Sequence, residues 1–309
     1  MTHGFTPPFK CDNDGNIYFL NRAQETTIHK LTAKGEQVAE FESAARSEKR
    51  LLHAGFFEVT QDGEIDQLVS LQDPKRYVYT FKSDGNFKEQ ITLNTGFWWF
   101  PRALAVFPSG EMLITGSEYD KDVNAPMWPF TGIFSGDGAL LKEVKLEDDE
   151  TLHDMAAAGD DRVTGGADSQ ANHAVDFTQM ERAADGNVYL MRWTNPAIIY
   201  AISPGGAVVR RLKIDPEDSR YHPHALHAFQ NRLAVLFLDY NTSEKIMKIV
   251  DLEGHEIATY DEVDSKDKDG KDEPMLSGAF YCYTENPTRF VFLGAQDDGK
   301  LQLVTVEPR

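Results

Sequence analysis

The feature that most constrains the fold is a turn motif that recurs along the chain with alternating apolar residues after it. The copies read DNDGNIYFL (12–20), TQDGEIDQL (60–68), FPSGEMLIT (107–115), AADGNVYLM (183–191), and two weaker ones, FQNRLAVLF (229–237) and ENPTRFVFL (285–293). An Asp-Gly pair supplies the positive-φ positions that tight hairpins need. Each copy therefore predicts two antiparallel strands joined by a short turn.

A second turn with its own pair of strands follows each of the first five copies. These segments read IHKLTAKGE (28–36), YVYTFKSDG (77–85), GIFSGDGAL (132–140), IYAISPGGA (199–207) and MKIVDLEGH (247–255). Four short antiparallel strands within roughly 40–50 residues are typical of a propeller blade. The sequence predicts an all-β, six-bladed β-propeller. Its last blade is expected to be incomplete, because the chain ends after the third strand, KLQLVTVEPR.

The spacing of the repeats predicts one β-propeller domain over 1–309. Its blades are expected at approximately 5–44, 50–94, 99–148, 173–215, 222–262 and 275–309. We interpret the small, polar and glycine-rich stretch 149–172 as a long surface loop between blades three and four. Cys11 and Cys282 fall in the innermost strands of the first and last units. We favour two small buried side chains there, with a disulfide across the seam of the ring as the alternative.

Composition limits the partners. With 50 acidic and 31 basic residues the net charge is −19, which argues against nucleic acid and anionic membrane surfaces. The sequence has no run of 18 apolar residues, so it predicts no membrane span. The N-terminus MTHGFTPPFK lacks the apolar core of a signal peptide. We expect a monomer, and a periplasmic or extracellular location if a leader has been removed.

The repeat resembles that of the NHL and TolB-like superfamily of six-bladed propellers. The pattern ψxxDGNhYhh…hhhhxxxGxhhxxh, where h is apolar, occurs at 12–44, 60–93 and 183–214. More narrowly, the chain is similar to bacterial six-bladed propeller proteins of uncharacterised function. This resemblance implies the fold and an exported protein. It does not imply an activity, because propellers carry many unrelated ones.

Histidine and arginine recur where the innermost strands are expected to begin. In propellers of this type these positions ring the mouth of the central channel. The pairs are His53-Ala54, Arg102-Ala103, His173-Ala174 and His224-Ala225, the last within YHPHALH (221–227). Imidazoles of His53, His173 and His224 could bind zinc, with Arg102 binding an anionic group of a substrate. The alternative is that these histidines cap strand ends and bond to loop backbone.

A metal at these histidines would suit one enzymatic hypothesis. The segment Pro223-His224-Ala225-Leu226 resembles the zinc-binding blade starts of propeller lyases such as the peptidyl-hydroxyglycine lyases. Pro101-Arg102-Ala103-Leu104 departs from that motif, since arginine replaces the histidine. The resemblance implies a metal-dependent lyase or lactone hydrolase, in which a divalent ion polarises a carbonyl or activates water. His227 is interpreted as structural.

Aromatic residues suggest a binding role instead. In GFWWFPR (96–102), adjacent side chains of an extended segment point to opposite sides. One tryptophan is therefore expected to pack between blades while the other faces solvent. Loops between second and third strands project at the same face. The candidate ligand-binding residues are Trp98, Trp99, Arg102, Trp128, Arg192, Trp193, Asp239 and Tyr240. We favour a binding propeller for a small molecule, glycan or protein over an enzyme.

Two further groups of acidic residues could bind a metal ion or transfer protons. The segment 263–274 resembles a calcium loop at Asp267 and Asp269. Counted from Ser265, the twelfth position of such a loop is Leu276, where a bidentate glutamate is needed, so we interpret the segment as a solvated loop. The cofactor hypotheses are therefore a divalent metal ion, zinc at the histidines or calcium at this loop. Glu58 and Glu181 in inner strands could act as acid–base groups. The alternative, which we favour, makes them salt partners of residues such as Lys10 and Arg182.

Overall fold

The computed structural model confirms the predicted propeller. It describes residues 5–12, 14–21, 26–46, 49–60, 62–120, 125–146, 180–192, 194–261, 279–285, 287–295 and 301–307. These residues form six antiparallel sheets, five with four strands and the last with three. Apart from one 3-10 turn, Ala44–Arg46, the regular structure in these ranges is all β. No helix in the described part of the chain is long and apolar enough to cross a membrane.

Each of the first three blades is a four-stranded meander in chain order. Blade 1 consists of β1 Phe5–Cys11, β2 Ile17–Asn21, β3 Thr27–Leu31 and β4 Gln37–Glu42. Blade 2 consists of β5 Leu51–Val59, β6 Ile65–Leu71, β7 Arg76–Phe81 and β8 Phe87–Leu93. Blade 3 consists of β9 Trp99–Val106, β10 Met112–Asp120, β11 Ala125–Phe134 and β12 Leu140–Glu143.

The remaining blades repeat this order. Blade 4 consists of β13 Met180–Arg182, β14 Val188–Arg192, β15 Ala197–Ile202 and β16 Val208–Ile214. Blade 5 consists of β17 Tyr221–Phe229, β18 Arg232–Asp239, β19 Lys245–Asp251 and β20 Glu256–Asp261. Blade 6 has β21 Ala279–Thr284, β22 Arg289–Ala295 and β23 Leu301–Val306, and no fourth strand pairs with this sheet among the described residues.

The first strands of the blades surround the axis. β1, β5, β9, β13, β17 and β21 contact one another in turn, and β21 contacts β1 again. The first strand of every blade is therefore its innermost strand, as the repeat predicts. Blade 6 closes the ring through this inner contact, although its sheet has only three strands.

The repeated Asp-Gly turn is explained by the hydrogen bonds of its aspartate. In blade 4 the Asp185 carboxylate accepts the backbone N–H of Asn187 (3.1 Å) and the hydroxyl of Tyr189 (2.9 Å). Gly186 has φ +80°, a conformation that favours glycine. In blade 1 the acceptor is Asp12, two residues before the Asp14-Gly15 pair, and it accepts the backbone N–H of Asn16 and the hydroxyl of Tyr18. The tyrosine of the repeat thus ties the turn to the strand that follows it.

Glycines of the second turns allow neighbouring blades to pack closely. Gly85 has φ +89°, and a Cβ atom there would lie 2.3 Å from the carbonyl oxygen of Glu40 in β4. Gly138 has φ +87°, and its Cβ would lie 2.2 Å from the carbonyl oxygen of Thr92 in β8. Each turn therefore rests on the outer strand of the preceding blade, where no side chain would fit.

The seam of the ring carries a disulfide. Cys11 in β1 and Cys282 in β21 are bonded, with their Cα atoms 5.8 Å apart. This corrects the interpretation of the two cysteines as separate small side chains. Closure of the ring places β1 beside β21, which brings the Cα atoms into the range that a disulfide requires.

Candidate functional site

A cleft of about 740 Å³ lies between blades 2 and 3, at the end of the propeller where the inner strands begin. Three segments supply its walls: the start of β5, the loop from β6 to β7, and the start of β9. The lining residues are Leu52, His53, Ser70, Asp73, Pro74, Arg76, Trp98 and Phe100. The structure thus brings two of the predicted site residues, His53 and Trp98, to one cleft.

Two β-bulges shape the β5 wall of the cleft. The register with β6 shifts between Leu51 and His53, and again between Ala54 and Phe57. Bulges re-aim side chains and are frequent beside functional sites. At the first bulge Leu52 has no cross-strand partner and is 59% exposed, an unusual position for a large apolar side chain. The bulge therefore presents an apolar residue to the cleft.

The aromatic wall is centred on Phe100. The His53 ring lies 5.9 Å from the Phe100 ring, centroid to centroid. The guanidinium carbon of Arg76 lies 5.6 Å from the same ring, a cation–π distance. Arg76 is only 7% exposed and donates a hydrogen bond from Nη1 to the carbonyl oxygen of Lys75 at 2.9 Å. Phe100 thus lies close to both an imidazole and a buried positive charge.

Asp73 is the acidic residue of the cleft, and its oxygens accept several hydrogen bonds from the protein. Lys49 Nζ donates to it at 2.6 Å, the hydroxyl of Tyr77 at 2.8 Å and the backbone N–H of Lys75 at 2.9 Å. Partial burial alone would raise the pKa of Asp73, but the hydrogen bonds from Lys49 and Tyr77 outweigh it and lower the pKa. The carboxylate is therefore ionised and engaged in holding the loop.

The two adjacent tryptophans have different environments, as alternation along an extended segment predicts. Trp98 is half-buried and lines the cleft. Trp99 is 2% exposed, stacks on Phe134 at 5.4 Å and meets Phe130 edge-on at 5.3 Å. Trp99 therefore supports the wall from within the core of the blades, and only Trp98 presents its ring to a ligand.

The recurring His/Arg-Ala pairs mark bulges in two inner strands. In β9 the register with β10 passes from Ala103 to Pro101, so Arg102 is the extra residue. In β17 the register with β18 passes from Ala225 to Pro223, so His224 is the extra residue. The alanine after each is buried against the neighbouring strands. Arg102 is half-buried and is not among the residues that line the cleft.

YHPHALH forms part of a second polar surface, on blade 5. Tyr240 is 55% exposed, and His222 lies 6.0 Å from it between ring centroids. His224 Nδ1 lies 3.4 Å from the Tyr240 hydroxyl. Burial, and then the charge of Lys245, lower the pKa of His224, so its imidazole is neutral near pH 7. The two histidines therefore flank one tyrosine.

Two other predicted ligand-binding residues are buried within their own blades. Arg192 is fully buried, with Nη1 3.5 Å from the hydroxyl of Tyr200. Asp239 is 1% exposed and accepts the backbone N–H of Asn241 at 2.8 Å. Arg192 therefore contacts the next strand of blade 4, and Asp239 supports the loop that follows β18 in blade 5.

Several predicted residues lie outside the described part of the chain. They are His173, Trp193, the segment 263–274 and the side chain of Trp128. Among the described residues no three His, Cys, Asp or Glu side chains form a group that could hold a metal ion. The metal site at His53, His173 and His224 therefore stays a prediction, because one of its three members is not described.

Arg76, Asp73 and Phe100 were missed by the sequence analysis. Asp73 lies in the loop between the second and third strands of blade 2, and Arg76 is the first residue of β7 directly after it. Loops of this type supplied Trp128, Arg192 and Asp239 as candidates in other blades. The same rule applied to SLQDPKR (70–76) would have identified Asp73 and Arg76.

A second cluster of charged residues lies among the inner strands. Lys10 Nζ donates to the carbonyl oxygen of Met180 at 2.5 Å and to Glu181 Oε1 at 2.7 Å, and it lies 2.9 Å from Glu58 Oε2. All three charged side chains are buried. This confirms Lys10 as the salt partner of both glutamates. Arg182 instead donates to the carbonyl oxygen of Val106, at 3.4 Å.

His227 extends this cluster to the seam. Its Nδ1 lies 3.4 Å from Glu181 Oε2, and its Nε2 lies 3.5 Å from Cys11 Sγ. The cluster therefore joins inner strands of blades 1, 2, 4 and 5 and reaches the disulfide. These contacts agree with the structural interpretation of His227.

The two glutamates of the cluster differ in acidity. Burial raises the pKa of Glu58 to about 7, because the attraction of Lys10 only partly offsets the loss of solvation. Burial acts on Glu181 in the same direction, but the charge of Lys10 and the contact with His227 outweigh it and lower its pKa. Lys10 thus pairs with two buried carboxyl groups. Glu58 is the one that takes up a proton as the pH falls through about 7.

Comparison with known proteins identifies a fold and no family. No family model and no curated protein matches the chain. A protein of unknown function from Bacteroides caccae is similar in structure, with a TM-score of 0.50 and 12% identity over 82% of this chain and 80% of that one. The PQQ-bound aldose sugar dehydrogenase from Streptomyces coelicolor has a TM-score of 0.50 and 11% identity, over 99% of this chain and 95% of its own. At these identities the likeness extends to the fold alone.

Proposed function

We propose that the protein is a non-catalytic binding propeller that takes a small organic ligand in the cleft between blades 2 and 3. The observation that carries this proposal is the cleft itself. Its volume of about 740 Å³ falls within the range of small-molecule sites, and its walls combine apolar and aromatic side chains with a few polar groups. We also propose that the protein belongs to the NHL and TolB-like superfamily, because its repeat pattern resembles theirs.

Asp73 and Arg76, the two charged residues of the cleft lining, suit binding more than acid–base chemistry. Asp73 has a lowered pKa and already accepts three hydrogen bonds from the protein, so it is poorly placed to take a proton from a ligand. Arg76 is a permanent charge. These groups can orient a bound molecule, and we assign no reaction to them.

The proposal is tested by ligand-observed NMR with a library of small ring-containing fragments, both charged and neutral. We expect fragments that bind the wild type to lose their signal with Trp98→Ala, because Trp98 forms one wall of the cleft. The matched control is Tyr240→Ala, which removes an exposed aromatic ring on blade 5. Fragments that bind all three proteins equally, or a library that yields no binder, would contradict the proposal.

A further inference from the structure

We infer that the ligand of this cleft is an organic anion, a carboxylate carried on a flat aromatic ring. The inference rests on the proposed function and adds the chemical class of the ligand. It follows from three properties of the cleft: the charge of its rim, the burial of Arg76, and the small number of acceptors left for hydroxyl groups.

The rim of the cleft is basic although the protein is strongly acidic. The segments 49–53 and 70–76 contain Lys49, Arg50, Lys75 and Arg76 against Asp73 alone, whereas the whole chain has a net charge of −19. The backbone N–H of Gln72 donates to the carbonyl oxygen of Arg50 at 2.9 Å, which holds the two segments together. A local surplus of positive charge at a concave site attracts anions and raises their local concentration.

Arg76 is a buried charge in the wall of the cleft. It is 7% exposed and lines the cleft beside Phe100. A charge shielded from water interacts more strongly with a ligand charge than a solvated one does. The planar guanidinium matches a carboxylate in shape and can donate two parallel hydrogen bonds to it.

The other walls select a flat apolar body. Trp98 and Phe100 provide aromatic surface, and Leu52 and Pro74 provide aliphatic surface. Aromatic rings pair favourably in stacked or edge-on arrangements. A planar ring that contacts Trp98 or Phe100 can direct a carboxylate substituent toward Arg76.

The same walls fit a glycan less well. A sugar hydroxyl needs donors and acceptors at the site, and the Asp73 carboxylate already accepts from Lys49, Tyr77 and the backbone of Lys75. Ser70, the hydroxyl-bearing residue of the lining, is 6% exposed. The cleft therefore offers charge and aromatic surface rather than a set of hydroxyl partners.

Isothermal titration calorimetry on the wild-type protein tests the inference without any substitution. The probes are naphthalene-2-carboxylate, its uncharged analogue naphthalene-2-methanol, and glucuronate as a carboxylate without an aromatic ring. We expect the naphthoate to bind with one-to-one stoichiometry and the alcohol to bind at least about tenfold more weakly, because a charge-assisted bond to Arg76 is lost. Glucuronate is expected not to bind measurably.

A substitution assigns the effect to Arg76. Arg76→Gln should weaken naphthoate binding by about tenfold or more and leave the alcohol almost unchanged. The control is Arg289→Gln, which removes an exposed arginine of blade 6 that pairs with Glu307 at 2.7 Å. If Arg76→Gln fails to fold, the wild type at raised salt concentration tests the exposed positive charges of the rim, since screening of these charges should weaken binding of the acid but not of the alcohol.

The outcomes separate the inference from the proposed function. Equal affinity for the acid and the alcohol, abolished by Trp98→Ala, would overturn the anionic ligand but leave the cleft as a binding site. Tighter binding of glucuronate than of naphthoate would overturn the aromatic part of the inference. Absence of binding by all probes and by every fragment would overturn both.

Discussion

The Nε2 atom of His53 occupies the space above Gly55, where a Cβ atom would lie only 2.4 Å from it. The imidazole therefore folds back over its own strand and reaches the ring of Phe100 at the wall of the cleft. The absence of a side chain at residue 55 is required by this close approach, and not by a positive φ angle. The position of His53 thus depends on a residue that does not itself line the cleft.

Gly55→Ala is expected to disturb the cleft while leaving the histidine chemically intact. The added methyl group displaces the imidazole from Phe100 and should weaken binding of a cleft ligand by about two- to tenfold, the range of one aromatic contact. Stability should change by less than about 1 kcal/mol, because the displaced group is the end of an exposed side chain. Calorimetric titration and urea unfolding measure the two effects.

The matched control for this prediction is Gly205→Ala, since a Cβ atom there would have Ser203 Oγ at 3.9 Å as its nearest neighbour. Gly205→Ala should change neither the ligand affinity nor the free energy of unfolding. His53→Ala shows how much binding depends on the imidazole. If His53→Ala weakens binding and Gly55→Ala does not, the packing of His53 over Gly55 is unimportant for the ligand.

The sequence was sufficient for the fold because its signals are local. An Asp-Gly turn, as at Asp185, specifies a hairpin from a few neighbouring residues, and three copies with this turn and three that depart from it mark the six blades. The bond between Cys11 and Cys282 was harder to predict from the sequence. Whether two cysteines bond depends on the distance between their Cα atoms, which is set only when the ring closes.

The site was predicted only in part, for a related reason. His53 and Trp98 were found because the starts of inner strands are readable from the repeat. Arg76 and Phe100 were not found, because their meeting depends on how the loop from β6 to β7 folds against the neighbouring blade. The His/Arg-Ala pairs were expected to mark ligand-binding positions, but at Arg102 and His224 they mark β-bulges.

Lys10→Met is expected to destabilise the protein strongly. The substitution leaves Glu58 and Glu181 buried without their shared cation. Breaking a buried ion pair by removing one partner costs about 3–5 kcal/mol, because the remaining charge is not compensated. Denaturant unfolding measures the loss. The control is Lys88→Met, whose ammonium lies 2.8 Å from Glu64 at the surface and which should cost less than about 1 kcal/mol.

A triple variant identifies the cause of that loss. Lys10→Met combined with Glu58→Gln and Glu181→Gln removes the charges together and should recover part of the stability. Equal, small effects of Lys10→Met and Lys88→Met would show that the buried cluster contributes no more than a surface pair.

Glu58 is expected to make stability fall as pH rises. Its pKa in the folded protein is about 7, above the ordinary glutamate value of 4.5, because burial disfavours the charged form. Between these values the folded state holds a proton that the unfolded state has released, so the free energy of unfolding decreases with increasing pH. The contribution is on the order of 2–4 kcal/mol and complete above about pH 8. Glu58→Gln should remove it.

Glu181 provides a control of opposite sign. Lys10 and His227 lower its pKa, so its contribution to stability is present above the ordinary carboxyl range and is lost as the pH falls through the folded-state value. Glu181→Gln should therefore cost stability near pH 7, with a difference from wild type that shrinks in acid. Unfolding curves measured from about pH 2 to pH 8 test both variants, because the effect of Glu181 lies below pH 4.5 and that of Glu58 above it. Parallel curves for wild type and Glu58→Gln would contradict the assignment.

The disulfide between Cys11 and Cys282 is expected to stabilise the closed ring. It joins residues 271 positions apart, so it restricts the unfolded chain over most of its length. A crosslink over so long a loop contributes about 2–5 kcal/mol. We expect urea unfolding with a reductant present to show that loss, and the Cys11→Ala/Cys282→Ala variant to have reduced stability with or without reductant. Because the chain has only two cysteines, no other disulfide can account for the effect.

The stabilities of the wild type and the variant should become similar in reductant, apart from the packing lost with the two sulfur atoms. A wild type whose unfolding does not respond to reductant would mean that the contact between β1 and β21 closes the ring without the bond.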